Sequence, residues 1–170
     1  MTHQMNSNLN LNIRPATNDD LPRWQAIRKA AFAPVFASFR ELLGEEIAAI
    51  TQANDDAEQA AYLASLFAPD AGWELYTAVL TNEIVGFVSI QLNEETAVGE
   101  IGLNAVHPAA AGQGIGTALY NFALERMQAA GMRVATVGTG GDPSHAPARR
   151  AYEKAGFSAQ IPSVYMYRLL

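Results

Sequence analysis

The most regular stretch of the chain lies between Gly112 and Gly131, where Ile115, Ala118, Leu119, Phe122, Ala123 and Met127 recur at i, i+3, i+4, i+7, i+8 and i+12. That spacing gathers them on one side of an α-helix, with a glycine available to start and stop it. Upstream, Leu11 to Ala16 reads as a strand, and Asn18-Asp19-Asp20 offers a cap for a helix from Leu21 to Ala33. Two further helical stretches, Ser38 to Gln52 and Asp55 to Phe67, are rich in Ala, Leu and Glu, and Pro69-Asp70-Ala71-Gly72 stops the second. Trp73 to Leu80 and Ile84 to Leu92 are β-rich runs joined by Thr81-Asn82-Glu83, which predicts an antiparallel hairpin. A third run, Ala97 to Val106, ends at His107-Pro108, where proline stops pairing. After the long helix, Arg133 to Val137 reads as a buried strand, and Gly138 to Pro143 breaks it. A short helix near His145 to Ala155 follows, closed by Gly156, and Val164 to Leu169 predicts a final strand. The order is β, helices, βββ, α, β, α, β, with no repeat or linker, so residues 11–170 read as one α/β domain of the α+β type behind a frayed polar tail over 1–10.

Composition narrows what such a domain does. At 170 residues the chain closes one substantial core, and 49% apolar against 16% charged residues marks a folding sequence. Eleven basic against seventeen acidic residues leave a net charge of -6 without any cluster of Lys or Arg, which argues against nucleic acid as a partner. No cysteine is present, which removes a disulfide framework, a thiol nucleophile and a thiolate metal site together, and three scattered histidines argue against zinc. No apolar run spans a bilayer and Met1 to Asn10 has no secretory pattern, so the expectation is a cytoplasmic protein without a membrane partner.

Candidate chemistry begins at Gly112-Gln113-Gly114-Ile115-Gly116-Thr117, a glycine-rich turn running into the long helix. Glycines let the backbone approach a phosphate, and the helix start presents unpaired N–H groups carrying about half a positive charge. Taken alone, the spacing suits equally a tight turn packed on the sheet. A dinucleotide fingerprint would require glycine at Thr117 or Leu119 and an acidic residue about twenty positions later, and Arg133 to Gly141 has none. A nucleotide P-loop would require lysine, which is absent between Lys29 and Lys154.

Ala111-Gly112-Gln113-Gly114-Ile115-Gly116 resembles the coenzyme motif of the GCN5-related N-acetyltransferase family, Gln or Arg followed by x-x-G-x-G/A at a helix start. Ala111 departs from the pattern, having no side chain for the phosphates. Ala148-Arg149-Arg150-Ala151-Tyr152-Glu153-Lys154-Ala155-Gly156-Phe157 resembles the family's later motif, a helix carrying a tyrosine and ending in Gly-Phe. The likeness runs from Leu11 to Leu169. It implies a single N-acetyltransferase domain with a mixed, mostly antiparallel sheet of about six to seven strands flanked by helices. It also implies acetyl-CoA as acyl donor, a primary amine on a small molecule or peptide as acceptor, and no metal.

Acyl transfer from a thioester to an amine needs a neutral amine, a stabilised oxyanion and a proton for the departing thiolate. A lysine-like amine with pKa about 10.4 costs about 4–5 kcal/mol in available nucleophile at pH 7 unless a base takes its proton. Period two places Glu100, Gly102, Asn104 and Val106 on one face of the third β-run. Glu100, the carboxylate within that run, matches the place where some family members carry the base, and equally suits a solvated strand entrance. The resemblance implies a bulge near Asn104, Ala105 and Val106 whose backbone meets the pantetheine arm and the thioester carbonyl. It assigns Tyr152, flanked by Ala148, Ala151 and Ala155, as the general acid beside the coenzyme. His145 stands where many members have a coenzyme-contacting asparagine; it suits a contact to pantetheine or phosphate, proton transfer, or the start of the helix. Phe32, Phe36 and Phe39 suit the core or the wall of an acceptor pocket, and the oligomeric state is open, a homodimer included.

Overall fold

A computed structural model describes residues 10–170, so the polar tail lies almost wholly outside the described residues. Strands β1 (Leu11–Pro15), β2 (Glu74–Leu80), β3 (Glu83–Asn93), β4 (Val98–Val106) and β5 (Val134–Val137) form one five-stranded sheet in sequence order. The first four are antiparallel and β5 runs parallel to β4. Helices α1 (Leu21–Leu43), α2 (Glu45–Thr51) and α3 (Asp55–Ser65) lie between β1 and β2; α4 (Ile115–Ala129) and α5 (Ala146–Lys154) flank β5 in sequence.

The sheet is a partition between two apolar layers. On one face Ile115, Leu119, Ala123 and Met127 of α4 and Tyr152 of α5 pack on Val88, Ile90 and Ile101. On the other, Trp24 and Ile27 of α1 and Leu63 of α3 pack on Phe87 and Ala105. Trp24 stacks on Phe87 with centroids 4.3 Å apart, and its buried N–H donates to Thr77 Oγ1 at 2.9 Å. The apolar face of α4 predicted by periodicity therefore finds one side of the sheet, and α1 and α3 cover the other.

The structure corrects three expectations. The first helix does not end at Ala33 but runs through Pro34 to Leu43, and Gly44, at φ 76°, ends it. Proline costs this helix one backbone hydrogen bond, which the packing of Trp24, Ile27 and Phe32 on the sheet offsets. The sheet has five strands, not six or seven, because Val164 to Leu169 forms no strand. That segment has no regular secondary structure, and Val164, Tyr165 and Met166 in it are more than four-fifths exposed. Consequently β5 is an edge, and its alternation of exposed and half-buried residues replaces the buried strand that Arg133 to Val137 predicts.

The third correction sets the site. Val88 pairs with Asn104 but Ile90 pairs with Ile101, so Gly102 and Leu103 together oppose Ser89 in a β-bulge. Ser89 Oγ donates to Leu103 O at 3.0 Å, and a Cβ on Gly102 would collide with the Trp73 ring, so glycine alone fits there. The extra residue resets the alternation: Ile101 and Val106 share the α4 face, while Leu103 and Ala105 join the α1 face. Glu100, adjacent to Ile101, thus points away from the face that bears Asn104 and Val106, contrary to simple period two.

Candidate functional site

The strands part just beyond the bulge. Pairing between β4 and β5 runs from Val98↔Val134 to Ile101↔Val137 and stops, whereas β4 continues to Val106 and the chain leaves β5 into Gly138–Asp142. Gly102 to Val106 therefore presents an unpaired edge into a wedge whose sides are β4 and the segment leading to α5. The bulge that the family likeness puts near Asn104, Ala105 and Val106 lies at Gly102–Leu103, so these three residues follow it, along the open edge. Ala105 is buried on the α1 side and offers this wedge only backbone.

The glycine turn stands where this edge ends. Gly112 and Gly114 have φ 76° and 79°, and a Cβ built on either would meet no atom within 4 Å. Left-handed backbone, not crowding against the sheet, is what requires glycine here, and the space above the turn is open. Ile115 is 1% exposed and anchors the first turn of α4 in the core; Gly116 lies 3.9 Å, by its would-be Cβ, from Val106. No side chain caps the helix start, leaving the amides of its first turn, including Gly116 and Thr117, free for an anion. Ala111 and Gln113 are exposed, and Gln113 borders a depression of about 430 Å³ with Arg23 and His107.

Tyr152, two turns into α5, is 6% exposed and reaches β4 through Asn104. The Asn104 amide nitrogen donates to Gly102 O at 2.9 Å and to the Tyr152 hydroxyl at 3.1 Å; the amide oxygen accepts from Tyr120 at 2.9 Å. A carbonyl only accepts, so Gly102 O fixes which way the amide faces. Burial pushes the Tyr120 phenol well up, and Tyr152 beside it adds to the effect, so Tyr120 stays a donor. Tyr152 thus accepts a hydrogen bond from the Asn104 amide nitrogen, while its own hydrogen has only a long 3.4 Å contact to the amide oxygen that Tyr120 already occupies. Sequence reasoning missed Tyr120: it lies beside the apolar stripe of α4, with nothing in its spacing to distinguish it from core.

Glu100 is exposed on the opposite face, where its charge raises the Tyr62 phenol of α3 after burial has already done so. Phe36 and Phe39 of α1 are half-buried on that side, so neither is core. Phe39 stacks on His145 with centroids 5.9 Å apart, and His145 Nδ1 lies 2.5 Å from Asp142 Oδ1. Sequence reasoning took Asp142 as part of a strand break; its signal was an acid three residues before a histidine at a helix start.

The match to known proteins decides the affiliation: residues 36–157 fit the model of the Acetyltransferase (GNAT) family. The chain belongs to the GNAT acetyltransferase family. A GNAT-family protein from Desulfovibrio desulfuricans shares its fold at TM-score 0.67 and 18% identity, over 89% of this chain and 87% of that one. A GNAT acetyltransferase from Brucella melitensis, solved with acetyl-CoA, superposes at TM-score 0.60 and 21% identity over 88% and 83%. An aminoglycoside acetyltransferase from an uncultured soil metagenomic sample, solved with sisomicin, gives 0.59 and 20% over 94% and 96%. No curated protein sequence matches the chain. As a GNAT enzyme it is an acetyl-CoA-dependent acyltransferase, and the open glycine turn, the uncapped α4 and the unpaired edge of β4 fit that donor. Among the described residues no group of three or more His, Asp or Glu is arranged to hold a metal, and no helix is long and apolar enough to cross a membrane.

Proposed function

We propose that this GNAT enzyme is an N-acetyltransferase that moves the acetyl group of acetyl-CoA to a primary amine by direct attack on the thioester. One observation carries the reading: the Tyr152 hydroxyl is held by Asn104 at the point where β4 and β5 part, on the same wedge as the uncapped start of α4. Backbone amides of Gly112 to Thr117 hold the coenzyme's diphosphate, and the free edge of β4 along Asn104 to Val106 receives the pantetheine arm and steadies the oxyanion. Tyr152 gives its proton to the departing sulfur. The acceptor enters from the α1 and α3 side, where Glu100 draws in its ammonium group and Phe36 and Phe39 wall the approach.

A panel of primary amines tests this directly, with thiol release from acetyl-CoA as the readout. Small polyamines, amino acids and peptides belong in the panel, and so do aminoglycosides, given the similar fold of an enzyme that binds sisomicin. Transfer to at least one amine, slowed about 100-fold by Tyr152→Phe without loss of acetyl-CoA binding, is the expected result. Coenzyme binding with no transfer to any amine would leave only a non-catalytic acyl-CoA sensor.

A second feature favours a homodimer in which the C-terminal segment of each copy adds to the β5 edge of the other. Val164, Tyr165 and Met166 are 85%, 83% and 91% exposed, and Ile161 is 98% exposed, a strand-forming run with no strand partner among the described residues. Meanwhile β5 (Val-Ala-Thr-Val) carries no charge or proline to discourage an added strand, and Val134 on it is 57% exposed. Each element lacks what the other supplies, and reciprocal exchange closes with two-fold symmetry.

A further inference from the structure

The acceptor's ammonium must lose a proton, and the fold holds a second candidate for taking it besides Glu100. Asp142 and His145 sit between the end of β5 and the start of α5, with Nδ1 of the imidazole 2.5 Å from Asp142 Oδ1. The carboxylate is fastened in turn: its Oδ2 accepts from the Ser144 amide at 3.0 Å, from the Ser144 hydroxyl, and from Ser38 Oγ at 3.3 Å. Arg149 holds the loop by donating to the carbonyls of Asp142 and Gly140 at 2.8 and 2.5 Å. Gly140 closes over the pair so tightly that a Cβ there would strike both His145 Nδ1 and Asp142 Oδ1. Starting a helix needs none of the imidazole's share of this arrangement, because Asp142 already accepts from the Ser144 amide without it.

The consequence lies at the other ring nitrogen. A carboxylate that accepts from Nδ1–H fixes the neutral tautomer whose Nε2 carries a lone pair. His145 keeps 17% exposure, and Nε2 makes no hydrogen bond among the described residues. Phe39 stacks on the face of the ring, with centroids 5.9 Å apart and planes 28° from parallel. Ser144 contacts the Asp142 side of the imidazole, away from Nε2, so the trio is not arranged to activate a serine. From His145 at the N-cap of α5, Ala148 and Tyr152 follow at i+3 and i+7, one helical face with roughly 10 Å between its ends and a small residue between them.

We propose that His145, oriented by Asp142, is the catalytic base of this enzyme; the inference rests on the N-acetyltransferase reading above. Nε2 takes one proton from the acceptor's ammonium, and the freed lone pair forms the C–N bond at the thioester carbonyl. The C–S bond then breaks with its electron pair going to sulfur, which receives the Tyr152 proton. The nitrogen's second proton restores Tyr152 through solvent, and the proton on His145 leaves, so that each turnover releases one proton. The charged groups on this pair are the Asp142 carboxylate and, through the loop, Arg149; from α1, Ser38 donates to Asp142 and Phe39 stacks on the ring.

The test compares kcat and the pH profile of kcat/KM in the intact enzyme and in His145→Gln and Asp142→Asn, with acetyl-CoA affinity measured by calorimetry. His145→Gln should lose about 100-fold or more in kcat, matching the usual contribution of a general base. Coenzyme affinity should hold and the acid limb of the profile should vanish. Asp142→Asn should reproduce most of the loss, since its amide would donate to Nδ1 and move the proton to Nε2. Added imidazole should restore His145→Ala in proportion to its concentration, an effect outside a merely structural role. A His145→Gln enzyme that transfers acetyl at the original rate with the original acid limb overturns the proposal alone. An unmodified enzyme that acetylates no amine overturns the N-acetyltransferase reading, and this assignment with it.

Discussion

The phenols of Tyr120 and Tyr152 stand with ring centroids 4.6 Å apart and meet the same carboxamide, that of Asn104, at its two ends. Tyr120 holds the amide oxygen at 2.9 Å, so Tyr152 meets the amide nitrogen at 3.1 Å and reaches that oxygen only at 3.4 Å, a contact weak enough to yield its hydrogen to a better acceptor. Tyr152→Phe should lower kcat by about 100-fold, the low end of what a general acid contributes. Tyr120→Phe should cost about 1 kcal/mol of stability for one buried hydrogen bond and lower kcat several-fold by letting Tyr152 turn to the vacated oxygen. In both variants the KM for acetyl-CoA should stay near its original value. A Tyr120→Phe enzyme at full kcat would show that Asn104 holds Tyr152 unaided.

The turn at Gly112–Gly116 makes a prediction with its own control. Gly114 and Gly131 both sit at φ 79°, and a Cβ on either meets nothing within 4 Å. Alanine at each should cost about 1–2 kcal/mol for left-handed backbone. Only Gly114→Ala also places a methyl group where the diphosphate approaches, so calorimetry should show weaker acetyl-CoA binding for it and unchanged binding for Gly131→Ala. Equal affinities in the two variants would count against the turn as the phosphate site.

Glu100 and the Tyr152 pair lie on opposite faces of β4 because of the bulge at Gly102. An exposed carboxylate attracts a cation by about 1 kcal/mol, or roughly five-fold in affinity. Glu100→Gln should therefore raise KM for cationic amines about that much, with kcat nearly intact, and added salt should erase the difference. A large fall in kcat with the acid limb lost would instead make Glu100 the base.

How far these assignments could be read in the sequence depended on whether a single element carried the signal. The stripe from Ile115 to Met127 and the flanking glycines placed α4 and the glycine turn that opens it, since both properties are local to one helix. Pro34 misled because its cost is local while the compensation, packing of α1 on the sheet, is not. Gly102 gave no hint of a bulge, for what demands glycine there is the ring of Trp73, distant in sequence. Val164 to Leu169 shows a strand-like pattern but no alternation can name the strand it pairs with. Tyr120 was invisible for the same reason: its importance lies in Asn104, which folding brings to it.

Two carboxylates tie stability to pH. Hydrogen bonds from Arg14, with help from the Thr17 amide and Thr77, hold the Asp20 carboxyl below its ordinary range against the opposing effect of burial. Burial would likewise push Asp142 up, but hydrogen bonds from Ser144 and His145 and the His145 charge outweigh it and bring the group to about 2. A lowered carboxylate pKa adds stability above the unfolded value near about 3.9 and forfeits it as pH falls toward the folded one. Denaturant midpoints should be level from neutral down to about pH 5 and then drop between about pH 4 and pH 2, with Asp142 contributing on the order of 2 kcal/mol. Asp142→Asn should be less stable at neutral pH and show a shallower fall. An equal slope in the variant would assign the acid loss to Asp20 and its partners.

The exposed C-terminal run gives the most economical test of assembly. Deleting residues 162–170 removes Val164, Tyr165 and Met166 without touching either apolar layer of the sheet, since these side chains are 85%, 83% and 91% exposed and pack on neither. If each copy's segment pairs with the other's β5, light scattering should give a dimer for the full chain and a monomer for the truncated one. The monomer should also be less soluble, because β5 then keeps a bare edge in water. Pairing can be blocked at the other surface: Thr136→Pro on β5 should also yield a monomer, with the segment intact. Agreement between the two changes, one at each half of the contact, separates strand exchange from simple clustering of apolar tails, which the proline would leave unaffected. A full chain that stays monomeric at all concentrations would show that this segment has some other partner.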